Sequence, residues 1–231
     1  AASNTDFARI VADDLERVNE EGGYGFELMR VNFDQETAQD IRPELQKLVD
    51  FNPDVVMNDG VVRTNYLVIQ QAAELGLLPA KPMITLFDYP MRSKDFWEAS
   101  GEPAEKLVWA CLLYRPGYEG LTDCGTWFTD TFLERYGFLP PTSALLAFSD
   151  VLFLGQAASK AKSLTRDALR DSLESNEFDS WIGPVRFEKK GDHLHHGSSD
   201  IVLMQYGAYQ QDLTEALVVY PKEHATGEYR K

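Results

Sequence analysis

Phe178-Asp179-Ser180-Trp181-Ile182-Gly183-Pro184-Val185-Arg186-Phe187-Glu188-Lys189-Lys190-Gly191-Asp192 is the stretch whose reading decides the fold. It follows a helical pattern at Leu164–Ser175 and precedes a strand-like run at Asp200–Tyr206. An aromatic residue, a Gly-Pro corner, a short alternation at Val185 and Phe187, and a charged turn ending in Gly-Asp predict a helix–turn–hairpin unit. None of these residues forms a catalytic constellation, so the value of the stretch is topological.

Working back from it, Gly125–Tyr136 and Thr142–Ala161 read as helices. The second is apolar and rich in small residues (Ala144, Ala147, Gly155, Ala157, Ala158), as suits a helix packed on several sides. Arg115–Gly120 reads as a connection. The first half alternates strands and helices. Helices are predicted at Thr5–Asn19, Thr37–Phe51 and Thr64–Leu75, and strands at Phe26–Phe33, Pro53–Asn58, Pro82–Phe87 and Leu107–Tyr114. Short apolar strands separated by amphipathic helices imply an α/β fold with a parallel sheet. After the run at 200–206, a loop at Tyr209–Thr214 leads to a last strand at Ala216–Tyr220.

The 231 residues carry 22 Lys and Arg against 37 Asp and Glu, a net charge of −15. The basic residues are scattered, which excludes nucleic acid and an anionic membrane surface as partners, since both need clustered cations. No run of 18 apolar residues exists, so direct membrane insertion is not expected. Cys111 and Cys124 sit outside any CxxC or Cys/His cluster, and a disulfide and two buried free thiols both stay open.

Candidate chemistry is sparse. Asp192-His193-Leu194-His195-His196 would put His193 and His195 on one face of a strand, but a solvated turn explains it as well, and no metal is assigned. No G-x-S-x-G elbow accompanies the Ser, His and Asp residues, so no catalytic residue is assigned. Gly22-Gly23-Tyr24-Gly25 follows a helix and precedes a strand-like run, the wrong order for a phosphate cradle, and no cofactor is expected. The positions where parallel strands should end are more informative, because ligands bind outside the carboxyl ends of such strands. Here those are Ser3–Phe7, Asn58–Val62 and Phe87–Tyr89.

The order of these passages resembles the periplasmic binding proteins of the branched-chain amino acid (Leu/Ile/Val-binding) type, in the receptor ligand-binding family. Four passages carry the likeness: Asn4-Thr5-Asp6-Phe7; Asn52-Pro53-Asp54-Val55-Val56 with the run to Gly76-Leu77; Phe132–Ala161; and Ile182–Phe187 with Gly191-Asp192, followed at a distance by Val219-Tyr220-Pro221. The resemblance implies a type I periplasmic-binding-protein fold, two Rossmann-like lobes with parallel sheets, the first lobe incomplete. Residues 1–115 and 216–231 would form ligand-binding lobe two, and 116–215 the second half of lobe one.

By the same resemblance, Phe7 falls where an aromatic covers the ligand, and Val61 or Val62 where amino acid binders place a second aromatic. Asn58 and Asp59 lie in the same strand-end turn. Phe87 and Asp88 fall near the acidic residue that receives the ligand's ammonium group. The implied role is an extracytoplasmic solute-binding protein of an ABC importer. Such a protein captures an amino acid, amide or aromatic acid between hinged lobes and docks to a membrane permease; its secretion leader is not present in this chain. A ligand-sensing regulator on the same fold is the alternative.

Overall fold

The computed structural model describes residues 6–34, 36–60, 63–88, 91–93, 95–112, 121–190, 193–197 and 201–230. In chain order the elements are α1 (Asp6–Gly22), α2 (Arg42–Phe51), β1 (Val56–Asn58), α3 (Arg63–Glu74), β2 (Met83–Thr85), α4 (Phe96–Ser100), β3 (Val108–Leu112), α5 (Asp123–Tyr136), α6 (Thr142–Lys160) and α7 (Arg166–Ser175). They continue with β4 (Glu177–Ser180), β5 (Gly183–Arg186), β6 (Glu188–Lys190), β7 (His193–His196), β8 (Ile201–Gln205) and β9 (Leu217–Tyr220), with short 3₁₀ turns between some of them. The chain divides into two compact units, Ala1–Cys111 with Val202–Lys231, and Leu112–Ile201.

The first unit is built on a five-stranded sheet in the order β1-β2-β3-β8-β9. β1 and β2 run parallel with Val56 opposite Met83 and Asn58 opposite Thr85, and β2 pairs parallel with β3 through Ile84 and Val108. β8 and β9 are antiparallel. Gln205, at the end of β8, donates through Nε2 to the Lys106 carbonyl just before β3 at 3.1 Å. The end of β8 therefore lies beside the beginning of β3, and its start beside the end of β3.

The apolar spacing read in the helices serves this sheet. Ile41 and Leu45 at α2 and Val68, Ile69 and Ala72 of α3 are buried, as are Met83, Trp109 and Met204 on the strands. Full burial of side chains of this size stabilises by about 1.5–3 kcal/mol each, before the entropy of ordering them. An aromatic group closes the β8 end, with Tyr206 ring centroids 4.8 Å from both Trp97 and Trp109. The Tyr206 hydroxyl donates to the Met91 carbonyl at 2.6 Å, so the buried phenol keeps a partner.

Three expectations shift. The segment 26–33 forms no strand beyond one bridge residue at Asn32, and Phe26 and Leu28 stay exposed. α2 starts at Arg42 instead of Thr37. A start at 37 would place Pro43 inside the helix, where it lacks an amide and clashes with the preceding turn; at 42 it sits in the first turn, where it is tolerated. The Asp34 carboxylate instead takes the Glu36 and Thr37 amides, at 2.8 and 3.2 Å, into a separate turn. The run expected at 200–206 gives the strand Ile201–Gln205, but it joins the first unit's sheet, so the second unit ends near 201 and not at 215.

Among its described residues the second unit consists of α5, α6, α7 and two antiparallel hairpins, β4–β5 and β6–β7. The corner of the first hairpin falls at Trp181-Ile182, one step before Gly183-Pro184. Ser180 pairs with Gly183, whose φ of 130° is a conformation that favours glycine. Trp181 packs with Leu145, Leu121, Phe128 and Ile182. The hairpin also closes on the first turn of α5: the Thr122 amide donates to the Trp181 carbonyl at 3.0 Å, and the Thr122 hydroxyl to the Ser180 carbonyl at 2.7 Å. The same Thr122 oxygen caps α5 by accepting from the Gly125 amide at 3.1 Å. A Cβ at Gly125 would stand 2.4 Å from the Trp181 carbonyl oxygen, so this contact requires glycine. The outer sides of α5 and α6 stay apolar and exposed at Trp127, Leu146, Val151 and Leu154.

Candidate ligand-binding edge

β1 and β2 are parallel and in register to their last residues, so the turns that follow them share one edge of the first unit's sheet. The Leu86 amide donates to the Asn58 carbonyl at 2.9 Å and carries the ladder one step beyond β2. Asn58, Asp59, Phe87 and Asp88 are thereby gathered at this edge.

Asn58 is buried and structural. Its Oδ1 accepts from the Gly60 amide at 2.9 Å, and its Nδ2 donates to Asn65 Oδ1 in the first turn of α3 at 3.0 Å. Gly60 is squeezed into the same joint, where an added Cβ would lie 3.0 Å from Asn58 Oδ1 and 3.2 Å from the Asn65 amide nitrogen. Asp59 is 6% exposed, and its Oδ1 is buried with no hydrogen-bond partner among the described residues. Burial pushes the Asp59 carboxyl pKa up from its ordinary value.

At the end of β2, Thr85 Oγ1 donates to the Phe87 carbonyl at 3.1 Å and fixes the start of the turn. Asp88 follows, its side chain 15% exposed, with Oδ2 3.3 Å from Nη1 of Arg92, whose side chain is only 2% exposed. The same Nη1 lies 3.1 Å from Sγ of Cys111 on β3, and that thiol lies 3.7 Å from Asp88 Oδ2. Burial pushes the Cys111 thiol up to about 12, with Arg92 opposing the shift.

Arg92 and Asn65 are missed by reading the strand ends alone. The i, i+4 spacing of Asp88 and Arg92 is the signal that points to the first, since the Arg92 amide also donates to the Asp88 carbonyl at 3.2 Å. Phe7 lies in the first turn of α1, and its side chain, like Val61 and Val62, lies outside the described residues. The histidines of the 193–196 run occupy β7, and their side chains likewise lie outside them. Both cysteines are free thiols. Among the described residues no group of three or more His, Cys, Asp or Glu could hold a metal ion, and no helix is long and apolar enough to cross a membrane. A hollow of about 350 Å³ lined by Pro79, Ala80, Pro82, Lys106 and Tyr229 lies at the opposite ends of β2 and β3, away from these groups.

A family model described as Periplasmic binding protein matches residues 1–211. The chain belongs to the periplasmic binding protein family. The α/β architecture with a parallel-rich sheet is accordingly the type I periplasmic-binding-protein fold. Solved structures of such proteins superpose closely. A leucine-binding protein from Thermotoga maritima has a TM-score of 0.70 at 22% identity, covering 86% of this chain and 54% of its own. A solute-binding protein of an ABC transporter from Rhodopseudomonas palustris, solved with benzoate, has a TM-score of 0.74 at 14% identity, covering 98% and 58%. A periplasmic binding protein from Burkholderia mallei has a TM-score of 0.74 at 15% identity, covering 100% and 61%. The chain thus spans a little over half the length of the solved periplasmic binding proteins it matches.

Proposed function

We propose that the chain is the ligand-binding part of an extracytoplasmic solute-binding protein of an ABC importer. It takes a small solute at the edge formed by Asn58, Asp59, Phe87 and Asp88, with Phe7 and Val61 or Val62 contributing apolar cover, and delivers it to a membrane permease. It performs no catalysis of its own. The observation that carries this reading is the buried polar set at the carboxyl ends of β1 and β2, where parallel sheets bind ligands, in a chain of this family. Residues 1–111 with 202–231 act as lobe two of the family, and 112–201 as part of lobe one. An amino acid, an amide and an aromatic acid all fit the mix of carboxylates, amides and rings.

A thermal-shift screen against these three classes tests it. Ligand present at a hundred times its Kd stabilises by about 2.7 kcal/mol, a readable rise in melting temperature. A protein whose melting point responds to none of them, and whose deletion leaves uptake of all of them intact, would sink the proposal. Binding without any uptake defect would favour the regulatory alternative.

A further inference from the structure

We propose that the hollow at the starts of β2 and β3 is a second small-molecule site, separate from the Asn58–Asp88 edge, and that it takes an arene carboxylate. The ring of such a ligand lies against the faces of Pro79, Pro82 and Tyr229, and its carboxylate pairs with Lys106. The inference stands apart from the solute-binding role proposed above, because the hollow lies at the other ends of the strands.

The walls of the hollow are fixed by the fold before any ligand arrives. Pro82 leads into β2, and its carbonyl accepts from the Val56 amide at 2.9 Å. The loop before it is tied back to α3, with the Lys81 amide donating to the Leu77 carbonyl at 2.8 Å and the Leu77 amide to the Ala72 carbonyl at 2.9 Å. Lys106 and Tyr229 come from distant parts of the sequence, and one fully buried side chain holds their segments together. Gln205 donates through Nε2 to the Lys106 carbonyl at 3.1 Å and to the Arg230 carbonyl at 3.0 Å, while its Oε1 accepts from the Arg230 amide at 2.8 Å. That carboxamide sets the spacing between the wall that carries Lys106 and the wall that carries Tyr229. Gln205 is thus a positioning residue of the site.

The lining selects a chemical class. Pro79, Ala80 and Pro82 present apolar surface without a side-chain donor, and Tyr229 adds an aromatic ring that is 39% exposed. Lys106 is the single charged group among the lining residues, and no carboxylate joins it there, in a chain whose net charge is −15. Glu102 and Glu105 share its 3₁₀ turn, yet neither forms an ion pair with it. The hollow of about 350 Å³ has the size of a small-ligand site, with the usual mix of mostly apolar walls and one polar anchor. A flat ring covers the prolyl and tyrosyl faces, and a carboxylate on that ring answers the ammonium. A compact anion such as phosphate would leave those faces uncovered. Lys106 is exposed, so its ion pair works in water and contributes modestly beside the apolar contact.

Calorimetry of the full chain with benzoate, benzamide and acetate separates ring from charge. Benzoate should bind about fivefold more tightly than benzamide, the advantage of an ion pair open to water, and acetate should give no measurable heat. Lys106→Gln should erase that advantage and leave benzamide unaffected. The variant keeps the fold, because Gln205 holds the Lys106 carbonyl and not its side chain. Tyr229→Ala should weaken both ring compounds. The place of binding is read separately, by acetylating lysine amines and locating the label by mass spectrometry. Benzoate should slow the labelling of Lys106 and leave that of the exposed Lys47 unchanged. Benzoate that binds without protecting Lys106, and with its advantage over benzamide intact in Lys106→Gln, overturns the inference; it then occupies the edge, and the solute-binding role stands. A protein that binds no benzoate overturns the inference as well, while the edge is decided by its own screen.

Discussion

Arg92 Nη1 sits 3.3 Å from Asp88 Oδ2, with the guanidinium almost fully withdrawn from solvent and the carboxylate largely so. A buried ion pair contributes little net stability over an apolar replacement, but removing one partner strands the other charge. Arg92→Met should therefore destabilise the protein by about 3–5 kcal/mol, while Arg92→Lys, which keeps the charge, should cost less. Melting curves of the two variants in the absence of ligand check this. Equal melting points for wild type and Arg92→Met would show that the pair does not hold the turn after β2.

Gly60 stands where the end of β1 meets α3. Its backbone does not demand glycine, but the space around it does: a methyl would press on Asn58 Oδ1 and on the backbone at Asn65. Gly60→Ala is expected to cost about 1–3 kcal/mol, the usual range for overpacking, as the strand end and the helix start move apart. Urea unfolding gives the magnitude. A neutral substitution would mean that the joint relaxes freely.

The raised Asp59 carboxyl has a pH consequence. Its folded pKa lies above its unfolded value, so the folded state binds the proton more tightly. The stability this lends is fully present below the unfolded pKa, ordinarily near 3.8 for Asp, and is lost as pH rises through the higher folded value. Asp59→Asn removes the titration. The difference in melting temperature, variant minus wild type, should grow more positive from about pH 3.5 to pH 7. A flat difference across that range would show that burial does not perturb this carboxyl.

The two thiols should react in a fixed order. Cys111 is buried with its pKa pushed up to about 12, so almost no thiolate exists at pH 8. Cys124 is half-buried and raised less far, by burial first and then by the Asp179 charge. Alkylation by iodoacetamide followed by mass spectrometry should label Cys124 well before Cys111, and Cys111 mainly after addition of denaturant. Cys111 labelling as fast as Cys124 would contradict the packing at the end of β3.

Much of the first unit is legible in the sequence because its signals are local. Pro53-Asp54 leads into a short apolar strand, and the Ile41, Leu45 and Leu48 spacing makes a helix face whatever surrounds it. Pairing partners are not local. The alternation at 26–33 reads as a strand, yet a strand needs a neighbouring strand to take its amides; among the described residues the segment has one bridge residue, at Asn32, and the Phe26 amide donates instead to Asn19 Oδ1 at 3.1 Å. Ile201–Gln205 form a strand within the run read at 200–206, but its assignment to a unit depends on which strand of the sheet it pairs with. At the edge itself, Asn58, Asp59 and Asp88 follow from knowing where parallel strands end. Arg92 does not, because its role rests on burial and on a thiol nineteen residues away in sequence.

The path of the chain through its first sheet has a practical corollary. It leaves after β3 and returns at β8, and these strands are neighbours with the start of one beside the end of the other. Residues 112–201 are in this sense a cassette spliced between two adjacent strands. A short hairpin link from Cys111 to Val202 would bridge the excision without redrawing the sheet, so the Asn58–Asp88 edge can be studied on a miniature of roughly three-fifths the original length.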